Sequence, residues 1–174
     1  MISEETNAKT YLELARLEKI LNDMGFPTQL LESSEQYEIN VLLASIEPDY
    51  KNRERIVNLT FVPVGDDQLD SISLLQFYIN YPFEIDKKYK NELVKFLCFV
   101  NYKMPMACIS INENNAVFFK YVYAIKKYEL LDKDSTQEIV ALLQYTMGIF
   151  AQQIEDVAIG AKTSAKAIKD LTDG

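Results

Sequence analysis

From about Glu4 to Met24, Tyr11, Leu14, Ala15, Leu17, Leu21 and Met24 recur at helical spacing, and Gly25 followed by Pro27 supplies a stop. The pattern predicts a first helix. Tyr37 to Ile46 is rich in Ile, Val and Leu and reads as a strand closed by the turn residues Pro48-Asp49. Between Arg55 and Val64, Val57, Leu59 and Phe61 alternate with Asn58 and Thr60, as in a sheet with one wet face. Gly65-Asp66-Asp67 then turns the chain into Ile72 to Tyr81. There Leu75, Phe77, Ile79 and Tyr81 alternate with Gln76, Tyr78 and Asn80, and Pro82 is expected to end the ladder. Three consecutive strands with short polar connections predict an antiparallel meander.

In the second half the period changes to that of a helix. Asp86 is placed to cap it, Tyr89, Leu93, Phe96, Leu97 and Val100 form its stripe, and Pro105 terminates it. Lys87, Lys88, Lys90, Glu92 and Lys95 fall largely off that stripe. Two strands follow, Met106 to Ile111 and Val117 to Ile125, joined by Asn112-Glu113-Asn114-Asn115, which suits a left-handed hairpin turn. Ser135 and Glu138 match a capping box before a long final helix. Its face is expected to comprise Ile139, Leu142, Leu143, Met147, Phe150, Ile154 and Val157, with Val140, Ile149 and Ala151 off the stripe. The result is an α+β fold of order α-β-β-β-α-β-β-α, an antiparallel sheet packed against helices. Residues 1–160 are expected to form one domain, and 161–174 a helix extension or flexible tail.

With 174 residues, 48% of them hydrophobic, the chain has enough apolar content for a core without disulfide or metal staples. The 18 basic and 26 acidic residues give a net charge of -8 and a pI near 4.7, which opposes nucleic-acid binding. The two cysteines, Cys98 and Cys108, sit in apolar runs and are expected to be buried and reduced. The N-terminus lacks the charged start and apolar stretch of a signal peptide, and no run approaches the roughly 18 apolar residues of a membrane span. A soluble cytoplasmic protein that does not bind membranes is expected.

The run Phe96-Leu97-Cys98-Phe99-Val100-Asn101, then Met106-Ala107-Cys108-Ile109-Ser110-Ile111 and Val117-Phe118-Phe119-Lys120-Tyr121, leading into the last helix, resembles the YbjN family and its type III secretion chaperone-like relatives. The likeness covers roughly the last 70 residues, with the first half agreeing in element order. Asn101 stands where that superfamily ends its helix in Asn, whereas Met106-Ala107 replaces a glycine often found early in the next strand. Secretion chaperones are small, acidic and dimeric and hold an effector segment, so the resemblance implies a cytoplasmic homodimer with a protein or peptide client. It implies binding rather than catalysis.

The residues agree with that direction. With no histidine, the chain lacks the usual general base, the triads and most transition-metal sites. Glu32, Glu35 and Glu38 read as solvated charge, as do Asp66, Asp67 and Asp70, which match no calcium loop. The five glycines are scattered, so no phosphate cradle is legible and no cofactor is expected. Lys126-Lys127-Tyr128 and Lys87-Lys88-Tyr89-Lys90 read as solvated element ends, and Asn101 as a helix C-terminal turn residue. Tyrosine buries a large area while keeping a polar tip, so some of the 11 tyrosines suit an interface on an open sheet face. The partner surface is placed at Tyr78, Phe119, Tyr121 and Tyr123, with Ile149 on the last helix, engaging a client by apolar pockets and a strand edge. The alternatives are a small-ligand domain with a pocket between sheet and helices, and an enzyme using two converging carboxylates.

Overall fold

A computed structural model describes residues 3–34, 38–64, 68–104, 106–127, 129 and 131–173. Their elements run α1 (Glu4–Asp23), β1 (Thr28–Leu31), β2 (Val41–Ile46), β3 (Arg55–Phe61), β4 (Ile72–Glu84), a 3-10 turn (Lys87–Tyr89), α2 (Lys90–Lys103), β5 (Cys108–Ile111), β6 (Ala116–Lys126), α3 (Lys133–Ala158) and α4 (Ser164–Thr172). The strands form one antiparallel sheet in the order β1-β2-β3-β4-β6-β5. The chain is an α+β fold, and the expected meander gains a fourth strand, β1. The proposed turn at Gly65, Asp66 and Asp67, the start of a strand at Tyr37, Glu35, the helix stop at Pro105, and Tyr128 lie outside the described residues. Contacts gather the chain into two compact units.

The first unit comprises Met1–Ile46, Ile56–Tyr78 and Tyr121–Leu142. Ser3 Oγ caps α1 by accepting from the Thr6 N–H at 3.1 Å. At the other end Gly25 takes φ +88, and the N–H groups of Phe26 and Gly25 return to the carbonyls of Leu21 and Asn22. The helix buries Leu14, Leu17 and Leu21 and packs on β1 and β2. Buried Asn40 pins the segment before β2 to it: Nδ2 donates to the Asn7 carbonyl at 2.9 Å, and Oδ1 accepts from the Ser33 N–H at 2.8 Å. On β3, β4 and β6, Val57, Leu59, Phe61, Leu75, Phe77, Tyr121 and Ile125 are buried, as period-two alternation demands. Thr60, expected on the wet side, is buried too. The cap of α3 is Asp132 rather than Ser135: its carboxylate accepts from the Ser135 N–H at 2.8 Å, which places Ser135 inside the first turn.

The second unit comprises Glu47–Arg55, Ile79–Lys120 and Leu143–Gly174. Asp86 caps as expected, but it starts the 3-10 turn that runs into α2. Leu93, Phe96, Leu97 and Val100 are buried, whereas Cys98 lies about half a turn away on the other side of the helix and is exposed; Cys108 is half-buried, and both are free. Asn115 at φ +62 makes the β5–β6 turn, with the Asn112 carboxamide accepting from the Ala116 N–H at 3.0 Å. Pro82 does not end β4, which runs on to Glu84; near a strand end the missing N–H is tolerated.

Helix α3 buries Val140 and Ala151 alongside Ile139, Leu143, Met147, Ile154 and Val157, while Leu142 and Phe150 are half-buried. Its stripe is therefore rotated from the one expected. Gly160 at φ +75 ends the run, and residues 164–172 form a separate helix capped by Thr163. A Cβ on Gly160 would fall 2.0 Å from the Tyr89 ring, so this position requires glycine on two counts.

Candidate interaction surface

The residues expected to meet a partner separate into three environments. Phe119 is fully buried and Tyr121 is 7% exposed, because Val117, Phe119, Tyr121 and Ile125 share the covered face of β6. These two are core side chains, which corrects their expected place on an open face. Tyr123 is half-buried, with its ring centroid 6.4 Å from that of Tyr121. Tyr78 is half-buried on the opposite face of β4 from Phe77, and Ile149 is 40% exposed on α3. Buried Phe119 and Tyr121 are therefore not part of an exposed patch.

Strand edges also differ from the expectation. At β1, the first strand of the sheet, the Leu30 N–H donates to Glu18 Oε1 of α1 at 3.2 Å. At β5, the last strand, the Ile109 N–H donates to Asn101 Oδ1 at 2.8 Å and the Ile109 carbonyl accepts from Asn101 Nδ2 at 2.9 Å. A side chain thus covers ladder groups at both edges, which works against addition of a strand. Asn101 is helical, not a left-handed turn residue, and its amide acts as a short mock strand.

A surface absent from the sequence-based expectation lies on the outer side of α2. Val94 is 45% exposed, Cys98 is exposed and Tyr102 is 82% exposed, one per turn, with Met106 beyond the helix at 42%. The four-residue spacing of 94, 98 and 102, opposite the buried stripe, is the signal that reveals it. Cations frame this face. From 86 to 103 there are five lysines (Lys87, Lys88, Lys90, Lys95 and Lys103) and two acids, Asp86, which pairs with Lys88 at 3.3 Å, and Glu92. Lys103 Nζ lies 5.6 Å from the Tyr102 ring centroid and 5.7 Å from that of Phe99. Lys95 pairs with Glu92 at 2.7 Å, and the Ser164 hydroxyl donates to the same carboxylate at 2.7 Å. These bonds, with that to Lys95 strongest, bring the Glu92 pKa down to about 2 and fix α2 to the start of α4.

A dense polar cluster forms at the β2–β3 connection. Asp49 accepts from the Lys51 and Arg53 N–H groups at 2.8 and 2.9 Å, and Asn52 takes φ +59. The Arg53 guanidinium bridges Asp49 (2.6 Å) and Glu155 of α3 (2.6 Å). Lys51 and the Tyr50 hydroxyl also donate to Glu155, at 2.8 and 2.5 Å. Burial works to raise the Glu155 carboxyl, but these donors outweigh it and bring the pKa down to about 2; Asp49 is lowered by the same balance. Two carboxylates do converge here, yet both shift away from the proton-carrying form a general acid needs. Nearby, buried Arg55 donates from Nε to the Glu47 carbonyl at 2.6 Å, and the buried Tyr81 hydroxyl has no hydrogen-bond partner among the described residues.

Glu32, Glu38 and Asp70 are exposed. Beneath α1, Thr10, Phe61 and Val62 line cavities of about 60 and 30 Å³, below the roughly 300 Å³ of a ligand pocket. Open grooves of about 260 and 500 Å³ have mixed polar and apolar walls, the first lined by Lys9, Glu13, Ser73 and Lys127, the second by Ile72, Tyr123, Ile125, Glu129, Leu131 and Asp132. Among the described residues no group of three or more His, Cys, Asp and Glu could hold a metal ion, and no helix is long and apolar enough to cross a membrane.

No protein-family model and no curated protein matches the chain. Among solved structures, the chain is similar to the crystal structure of YbjN from E. coli, at 12% identity and a TM-score of 0.44, over 78% of this chain and 86% of that one. A similarity of that size assigns neither a family nor an activity.

Proposed function

We propose that this chain is a non-enzymatic protein-binding module, chaperone-like or regulatory, that engages a polypeptide through exposed apolar and aromatic side chains. The observation that carries the reading is the alignment of Val94, Cys98 and Tyr102 on the outer face of α2. Single apolar residues on a surface are ordinary, but an aromatic with aliphatic and thiol neighbours on successive turns forms a ridge that gains from burial. Tyr102 supplies an anchor with few rotatable bonds and a polar tip.

Tyr78, Tyr123 and Ile149, with Tyr145 one turn before Ile149 and 69% exposed, are further contacts on this reading. The finer form of the proposal is a cytoplasmic, secretion chaperone-like homodimer that joins through the Tyr145–Ile149 ridge and leaves α2 for the client. The capped edges of β1 and β5 favour helix faces over strand addition for both contacts.

Light scattering of the tagged chain purified from its own cells, followed by cross-linking and mass spectrometry, tests this. The expected result is a dimer mass plus a co-purifying polypeptide, with cross-links from that polypeptide to residues 90–106. A monomer with no polypeptide bound, or turnover of a metabolite, overturns the proposal.

A further inference from the structure

Resting on the protein-binding reading, we infer that the α2 face is the receptor for an acidic polypeptide segment carrying aromatic or aliphatic anchors. The whole chain has 18 basic and 26 acidic residues; setting aside the five lysines, Asp86 and Glu92 of residues 86–103 leaves 13 basic and 24 acidic elsewhere. A basic segment, the 3-10 turn with α2, is thus set in an acidic protein. Lys87, Lys90 and Lys103 are exposed, and Lys103 leans over the ring of Tyr102, so charge and apolar anchor coincide at one end of the ridge.

The size of that island selects the partner. Charges screen one another over about 8 Å at physiological salt, so a short acidic segment on α2 feels the lysines more than the acidic remainder. A nucleic acid or an anionic membrane extends well beyond the island and meets that remainder, which repels it. A second copy docked two-fold on the same face would set the lysines of one copy against those of the other. An acidic segment with a hydrophobic residue once per turn satisfies both features: carboxylates reach the lysines, and its apolar side chains cover Val94, Cys98 and Tyr102.

The test pans a random 16-residue peptide display library on the full chain, then measures a synthetic enriched peptide against wild type, Tyr102→Ala, Tyr102→Phe and the triple variant Lys87→Glu/Lys90→Glu/Lys103→Glu. All substituted positions are exposed, and an unchanged melting midpoint verifies that each variant folds. Enriched peptides rich in Asp and Glu with Leu, Phe or Tyr are expected. They should bind Tyr102→Ala and the triple variant at least tenfold more weakly, keep affinity for Tyr102→Phe and weaken steeply with salt. Peptides without acidic enrichment, or equally tight on the variants, overturn the inference but leave the protein-binding reading standing. Enrichment of no peptide overturns both. Binding of 20-nucleotide single-stranded DNA or phosphatidylglycerol vesicles, or self-association, if lost in the triple variant, reassigns the face and overturns the acidic-polypeptide inference.

Discussion

The carboxamide of Asn101 on the last turn of α2 holds the backbone of Ile109 on β5 by both of its polar groups, donating to the carbonyl at 2.9 Å and accepting from the N–H at 2.8 Å. Ile109 is fully buried. Asn101→Ala leaves that donor and acceptor without partners, so a loss of about 1–3 kcal/mol in unfolding free energy is expected by urea denaturation. Asn101→Asp keeps the acceptor but sets a carboxylate against a carbonyl, and should cost at least as much. A neutral result for both would show that the contact contributes nothing to stability.

Glu155 produces a pH dependence whose sign follows from its bonds. Its pKa lies near 2 in the folded chain against an ordinary 4.5, so the unfolded chain takes up the proton first as pH falls. The stability it contributes is complete above about pH 4.5, declines as pH falls toward 2 and is absent below that. Glu155→Gln should cost about 1–3 kcal/mol at pH 7 and flatten that part of the stability profile. Chemical denaturation from pH 6 to pH 2.5 reads both effects, and an unchanged slope would contradict them.

Gly160 joins backbone conformation to packing. Alanine there meets the Tyr89 ring and must also adopt φ +75, so Gly160→Ala should destabilise by about 1–3 kcal/mol. Adding Tyr89→Ala should recover the part due to the clash and leave the part due to the dihedral angle. A double-mutant cycle by thermal unfolding separates the two contributions.

The two thiols should react at different rates. Cys98 is exposed on α2 and Cys108 is half-buried on β5, so a thiol reagent under native conditions should label Cys98 first. Peptide mapping after brief labelling identifies the site, and preferential labelling of Cys108 would count against the outward face of α2.

Much of the fold can be read from periodicity. Leu75, Phe77, Ile79 and Tyr81 are buried as alternation predicts, and the Asn112 to Asn115 turn falls where its residue types place it. Strand β1 is hidden because four residues, Thr28 to Leu31, carry too little pattern, and its pairing with Val41 to Ala44 is a long-range property. Helix α4 is hidden because its short segment buries only Ser164 and Ala167, and its anchor, Glu92, lies 72 residues away. At the candidate surface, periodicity identifies Phe119 and Tyr121 as sheet residues, but which face of β6 is covered depends on the elements packed there. Glu155 stands amid an apolar stripe, and the return of Tyr50, Lys51 and Arg53 from the β2–β3 turn explains its burial.

The central claim is that the outer face of α2 holds a polypeptide. Isothermal titration of the peptide obtained by panning, into wild-type chain and into Tyr102→Ala, tests it most directly. At least a tenfold loss of affinity at an unchanged melting midpoint is the result predicted, and equal affinity for the two proteins would contradict it.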